Sequence, residues 1–233
     1  MPGTLQLTRI LSIGVVAALA AAGPVENARQ ARDAQNRAAL QAAAARASAA
    51  AEKQPQKVRL QYEAALVHSY LAEIAAELRD QAAARQAAQA GIPAAERAVA
   101  LEPQSAEHHR LLGTLYGQVI PGNLALALRY GRRTLEELNQ ALALDPNNPD
   151  AHLSRGIGKY YLPAALGGGA EAALNDLRRA IELNPKSDQA HLWMGIALRK
   201  ANRNGEARQA LLQAVKLNPL RVWARQQLDK TPQ

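Results

Sequence analysis

Large apolar residues are distributed unevenly along the chain, and their distribution predicts different helical segments. Between Glu26 and Pro55 the only one is Leu40, in a stretch dominated by alanine. Alanine favours helix, but a helix with so few large apolar residues has no wide stripe to bury. Residues 23–55 are therefore predicted to form an alanine-rich helix or a flexible stalk, which Pro55 ends.

Beyond Pro55 one phrase recurs four times, each time with an alanine five residues before a proline. The four versions are "AVALEPQS", "ALALDPNN", "AIELNPKS" and "AVKLNPLR". Their prolines are Pro103, Pro146, Pro185 and Pro219, and the spacing between successive prolines shortens along the chain. The last spacing, about 34 residues, is typical of a repeated supersecondary unit.

In the last unit each recurring position of this repeated pattern has a structural reason. Gly195 and Ala207 are small residues at the place where two helices of a hairpin would cross closely. Ala214 would pack against the following helix, and Pro219 would end the second helix because proline cannot continue it. This pattern resembles the tetratricopeptide repeat family, whose repeat of about 34 residues is a helix–turn–helix. The resemblance implies an all-α fold, an α-solenoid of stacked hairpins.

The resemblance extends over most of the chain beyond Pro55. Gly156, Ala173, Ala180 and Pro185 match in the preceding unit. One unit earlier Gly113, Ala141 and Pro146 match, but Thr134 replaces the small alanine. The earliest unit keeps only Ala98 and Pro103. The predicted hairpins span about 56–103, 105–146, 147–185 and 186–219. A capping helix at 220–230 would cover the last one with Val222, Trp223 and Leu228.

Two of the units are longer than the last one, and both insertions fall between their helices. In the third unit the excess lies in "LPAALGGG", where Pro163 ends a helix and Gly167–Gly169 bend the chain. This segment is an elongated turn, a partner-binding loop, or an anion site made of backbone N–H groups. It is not a nucleotide-binding loop, because no Gly-Lys-Ser/Thr follows. In the second unit "VIPGN" makes the turn before an unusually long helix.

The first 22 residues have the pattern of an export signal. Arg9 precedes the apolar run Ile10–Ala22, which is too short to span a membrane comfortably. Small residues at Ala20 and Ala22 suit cleavage after Ala22. The expected location is therefore periplasmic or secreted, with membrane attachment only if this segment is retained.

Charge narrows the choice of partner. The net charge is +8, and residues 186–233 hold nine Lys/Arg against three Asp/Glu. Aromatic residues make up only 3% of the chain, whereas nucleic-acid binding interleaves basic side chains with stacking aromatics. Nucleic acid is thus not expected. The basic bias indicates either an acidic partner or a solvated charged surface.

The sequence offers no catalytic, metal or cofactor signature. It has no cysteine, which removes zinc-thiolate sites and thiol nucleophiles together. His109, His152 and His191 occupy one repeat position, and helices packed about 8–10 Å apart hold them too far apart to share a zinc. They are interpreted as packing residues. The chain is therefore predicted not to be an enzyme.

In tetratricopeptide proteins the first helix of each hairpin lines a concave groove, and the resemblance assigns groove residues here. It implies an apolar centre, a tyrosine wall and a basic rim, which suit an extended or helical peptide with an acidic end. The assigned residues are Arg110, Thr114, Gln118, Leu153, Ile157, Tyr160, Tyr161, Leu192, Ile196, Arg199 and Lys200.

The predicted function is an exported scaffold or adaptor that binds a protein or peptide in this groove. Over a short stretch, the glycine-rich break also resembles the periplasmic tetratricopeptide component of tripartite solute transporters. A ligand-binding accessory of a transporter is therefore the alternative. A spacer without a defined ligand is a third possibility.

Overall fold

Most helices begin at a side chain that satisfies a free N–H of the first turn. Asn36, Asp80, Ser105, Asn123, Asn148 and Ser187 each accept a hydrogen bond from the backbone N–H three residues later. The computed structural model describes residues 23–233, and every regular element in that range is helical. The predicted signal segment 1–22 lies outside the described residues.

The helices pair in chain order, so the all-α solenoid prediction is confirmed. Their bounds are α1 Pro24–Asp33, α2 Arg37–Lys53, α3 Val58–Glu77, α4 Gln81–Leu101, α5 Ala106–Val119, α6 Leu124–Leu144, α7 Pro149–Tyr161, α8 Ala170–Leu183, α9 Asp188–Lys200, α10 Asn204–Leu217 and α11 Val222–Asp229. The hairpins are α3/α4, α5/α6, α7/α8 and α9/α10, and each second helix also packs on the first helix of the next hairpin.

Residues 24–53 form two helices that extend the stack by a further hairpin. Helix α2 packs on α3, and α1 contacts both α2 and α3. Ala28, Leu40 and Ala44 bury their side chains against Val67 and Ile74 of α3. Small alanines allow α1 and α2 to approach α3 closely, which offsets the lack of a wide apolar stripe.

The hydrophobic interior is divided into two large parts. One contains buried residues of α3 to α6, from Ala65 to Tyr130, and adjoins the cluster that holds α1 and α2. The other contains buried residues from Leu153 to Ala224. At the junction of α6 and α7 only Ala141, Leu142 and Ala151 form a small cluster of their own.

The two insertions take the forms that the proline and glycine positions require. Helix α6 is 21 residues long, and buried Thr134 donates its hydroxyl to the carbonyl of Tyr130 at 2.9 Å. After α7, Ala164–Leu166 form one turn of 3-10 helix. Gly167 and Gly169 then adopt φ values of +80° and +100°, which only glycine reaches readily. None of the helices in the range 23–233 is both long and apolar enough to cross a bilayer.

Candidate partner-binding site

Four aromatic rings from three elements meet near the end of α7, and we call Tyr160, Tyr161, Trp193 and Trp223 the aromatic cluster. The ring centroids of Tyr160 and Tyr161 are 5.7 and 6.0 Å from that of Trp193. Trp193 in turn lies 5.4 Å from Trp223. All of these pairs are edge-to-face, the arrangement that aromatic quadrupoles favour. The outermost ring is Tyr161, which is 58% exposed.

The basic residues predicted beside the tyrosines have different roles. Lys200 is exposed, lies 4.1 Å from the Tyr160 ring centroid and donates to the carbonyl of Tyr160 at 3.0 Å. Arg199 instead donates to the carbonyl and side chain of Gln227 at 3.0 and 2.6 Å, and to the Thr231 hydroxyl. Arg199 therefore fastens the C-terminal segment, whereas Lys200 leaves a cation at the edge of the aromatic cluster.

The aliphatic residues assigned to the groove centre pack inside the protein. Leu192 is fully buried, Ile196 is 5% exposed and Leu153 is 9% exposed. Ile157 is partly buried against the same cluster. Their side chains face the neighbouring helices and Trp193, so they support the aromatic cluster from beneath and offer little surface to a partner.

Arg110 is committed to a partner within the protein. Its guanidinium donates to both oxygens of Glu107 at 2.5 and 2.6 Å, and Tyr62 donates to the same carboxylate at 2.7 Å. Burial alone lowers the pKa of Arg110, but the Glu107 carboxylate outweighs it and raises the pKa. Thr114 and Gln118 likewise donate within the protein, to Ser154 and to the carbonyl of Ser69. The predicted basic rim is therefore absent at this position.

Sequence analysis missed a set of charged residues beside the aromatic cluster, here called the terminal ion cluster: Arg32, Asp33, Glu73, Glu77 and Arg221. Arg221 is fully buried. Its Nη2 donates to Glu73 at 2.8 Å and to Glu77, and its Nε lies 3.8 Å from Asp33. Arg32 pairs with Asp33 at 2.6 Å. Because 144 residues separate Glu77 from Arg221, no local pattern could have revealed this contact.

The two clusters adjoin each other. The Arg221 guanidinium lies 5.6 Å from the Trp223 ring centroid. Burial raises the pKa of Tyr161 to about 12, with added contributions from Tyr160, Glu77 and Glu73. The site joins an aromatic surface to a charged one.

The backbone N–H groups of residues 166–169, in the glycine-rich turn, donate to carbonyl groups within the protein. The N–H groups of Leu166 and Gly168 donate to the carbonyl of Pro163, and that of Gly167 donates to Ala164. Gly169 donates to the carbonyl of Lys159 at 2.8 Å. These hydrogen bonds favour the interpretation of this segment as an elongated turn.

The three repeat histidines share one structural role. In His109, His152 and His191, Nε2 lies 2.9, 3.0 and 3.1 Å from the carbonyl oxygen of the repeat proline six residues earlier. Because a carbonyl only accepts, each Nε2 carries a hydrogen. The histidines therefore fix the turns between hairpins. Within residues 23–233 no group of three His, Cys, Asp or Glu side chains has the geometry to hold a metal.

Comparison with known proteins agrees with this architecture. Residues 167–221 match a family model described as tetratricopeptide repeat. The crystal structure of TTC0263, a tetratricopeptide protein of Thermus thermophilus, is similar with a TM-score of 0.62 and 20% identity. The similarity covers 88% of this chain and 97% of TTC0263.

Two further crystal structures are similar at lower scores. MamA has a TM-score of 0.41 and 16% identity, over 79% of this chain and 91% of its own. YrrB, described as a tetratricopeptide protein with an unusual peptide-binding site, has a TM-score of 0.41 and 17% identity, over 87% of this chain and 89% of its own. A search of curated protein sequences found no significant match.

Proposed function

Because the chain is a tetratricopeptide-repeat protein, we propose that it is an exported, non-catalytic scaffold that binds a peptide segment of a partner protein at the aromatic cluster. The observation that carries the proposal is the position of exposed Tyr161 and Lys200 on a base of packed Tyr160, Trp193 and Trp223. Rigid aromatic side chains are frequent hot spots of protein interfaces.

The chemistry of this surface indicates the kind of peptide. Tyr161 offers a broad apolar face, and the Lys200 cation lies beside Tyr160. An apolar or aromatic side chain followed by an acidic one would match both. The rest of the predicted basic rim, Arg110 and Arg199, is occupied internally, so within this rim Lys200 is the cation that an acidic residue can reach.

Substitution of Tyr161 tests the site. Peptides selected from a displayed random library against the purified protein should bind Tyr161→Ala about tenfold or more weakly, because a hot-spot aromatic contributes about 2 kcal/mol or more. Isothermal titration would measure the affinities, and circular dichroism would verify helicity. Leu128→Ala is the matched control, since Leu128 is 79% exposed on α6. Equal affinity of the selected peptides for both variants would contradict the site.

Export is supported by the charged and apolar pattern of residues 1–22. Expressed in a bacterium with a periplasm, the chain should be recovered in the soluble periplasmic fraction with Gly23 as its first residue. Val16→Arg should keep it in the cytoplasm at full length, because a charge interrupts the apolar run. N-terminal sequencing and fractionation would measure both. Full-length chain in washed membranes would instead indicate an anchor.

A further inference from the structure

The two ends of the solenoid contact each other. Arg221, at the start of α11, contacts Glu73 and Glu77 near the end of α3. Gln189 of α9 donates to Glu73 at 3.1 Å, and Asn218 donates to Asp33 at 3.0 Å. Residues up to 191 positions apart in sequence therefore meet. The first helices of the hairpins form a ring in which α1 and α3 reach α9 and α11.

This closure is made of polar contacts. Each large hydrophobic cluster of the described range belongs to one half of the chain. One contains residues up to Tyr130, and the other contains residues from Leu153 onwards. No cluster of buried apolar side chains in that range joins α1 or α3 to α9 or α11. Apolar burial holds each half together, while charges and amides hold the halves to each other at the closure.

The opposite side of the ring is also thinly packed. At the junction of α6 and α7 the small cluster of Ala141, Leu142 and Ala151 is supplemented by polar pairs. Arg155 donates to Asn139 at 3.3 Å, and Thr114 donates to Ser154 at 3.1 Å. Residues 145–148, which connect α6 to α7, are therefore the natural hinge between two apolar bodies.

Charges in the closure do not balance. The terminal ion cluster contains three carboxylates, Asp33, Glu73 and Glu77, against the two guanidinium groups of Arg32 and Arg221. The buried Nε of Arg221 finds no hydrogen-bond partner among the described residues. A buried ion pair recovers its desolvation cost only when its hydrogen bonds are complete. The closure therefore leaves part of its desolvation cost uncompensated.

From this arrangement we infer that the terminal ion cluster is a reversible latch, which opens about residues 145–148 and frees Arg221 for the acidic end of a peptide bound at the aromatic cluster. The inference rests on the proposed function and concerns its regulation. With the latch closed, Glu73 and Glu77 hold the Arg221 guanidinium, which lies 5.6 Å from the Trp223 ring centroid. The acidic end of a bound peptide would compete with these carboxylates for Arg221, so that opening and binding are coupled.

Because the terminal ion cluster has one more carboxylate than guanidinium groups, the stability of the closed latch should depend on pH. Burial raises the pKa of Glu77 to about 7, Arg221 opposes this rise, and Glu73 adds to it. Other groups around it are Arg32 and Asp33 from α1, Tyr161 from α7, and Asp188 from α9 through Asn218. An open latch returns Glu77 to water and to its usual pKa near 4.5. Closing therefore takes up a proton, and the closed state weakens as pH rises through that window.

Spin labels can measure this opening, because the chain has no cysteine of its own. Labels at Leu78→Cys and Leu220→Cys lie on opposite sides of the latch, at positions 47% and 70% exposed. Between pH 5.5 and pH 8 the distance distribution should shift to longer values. Inside the pH window between the two pKa values of Glu77, the ratio of open to closed molecules should rise by up to about tenfold per pH unit. Glu77→Gln should remain closed at both values, and Arg221→Met should be open at both.

Matched controls separate opening from general loosening. Labels at Leu166→Cys and Leu212→Cys, both in the second half of the stack, should keep one distance throughout. Arg132→Met removes an exposed pair with Glu136 and should leave the latch distances unchanged. If the Arg221→Met protein does not fold, the comparison of wild type with Glu77→Gln still tests whether the latch opens. Identical distributions for these two at both pH values would overturn the latch.

A binding measurement then tests control of the site. The probe is a fluorescent peptide with an aromatic residue followed by glutamates, titrated into wild type, Arg132→Met and Glu77→Gln at pH 8. Glu77→Gln should bind it about tenfold more weakly or worse than the other two, because its closed latch keeps Arg221 from the glutamates of the peptide. Equal binding by all three would overturn the regulatory coupling. No binding to any of them would overturn the proposed function. The spin-label distances would still test the opening of the latch, because they do not depend on peptide binding.

Discussion

Replacing Gly195 by alanine is expected to destabilise the last hairpin by about 1–3 kcal/mol, although alanine is intrinsically the better helix residue. An added Cβ would lie 2.5 Å from Leu211 Cγ and 2.9 Å from the carbonyl oxygen of Ala207. Leu211 is fully buried, and the Ala207 carbonyl belongs to the backbone of α10. Neither can move away without separating α9 from α10. The steric cost should therefore exceed the gain in helix propensity.

Gly158 provides the matched control within another first helix. A Cβ at Gly158 would have its nearest neighbour, Leu138 Cδ1, at 4.0 Å, an ordinary contact. Gly158→Ala should therefore stabilise the protein by about 0.5–1 kcal/mol through the loss of glycine's conformational freedom. Urea unfolding followed by circular dichroism would measure both variants. If Gly195→Ala were more stable than Gly158→Ala, α9 and α10 would not cross closely at Gly195.

The sequence could reveal the repeats because the constraints that define them are local. Gly113, Gly156 and Gly195 lie where a leucine of the second helix, Leu138, Leu177 or Leu211, fills the space of a Cβ. Such close crossings recur in these three successive hairpins and leave small residues at equivalent positions. The prolines likewise end helices by local chemistry. The fold class therefore followed from the spacing of a few residue types.

The site was less accessible to sequence reasoning because it depends on the curvature of the stack. A groove position in a repeat becomes a core position when neighbouring helices approach closely, as Leu192 and Ile196 show. The proximity of Tyr160, Tyr161 and Trp193 could be expected from equivalent positions in adjacent repeats. The partners of Arg221 could not, since the return of the solenoid onto α3 is set by the sum of all its helix crossings.

Asp176 anchors the end of α7 to α8, and its replacement by asparagine is expected to cost about 1–3 kcal/mol of unfolding free energy at pH 7. Asp176 is only 4% exposed. Its carboxylate accepts hydrogen bonds from Arg155 at 2.6 Å and pairs with Lys159 at 2.8 Å. Asparagine keeps the size of the side chain but removes the charge that both cations require. Asp229→Asn, at an exposed position of α11, is the control and should be nearly neutral.

The pH dependence of this variant distinguishes lost charge from lost packing. Burial alone raises the pKa of Asp176, but Arg155 and Lys159 outweigh burial and hold the pKa below its usual range. A lowered pKa contributes stability above the unfolded value, near 3.9, which is lost as pH falls through the folded value. Urea unfolding should therefore show a difference between wild type and Asp176→Asn that is constant from pH 5 to 7 and shrinks below about pH 4. A difference that persists unchanged at pH 3 would show that Asp176 acts through its shape and not through its charge.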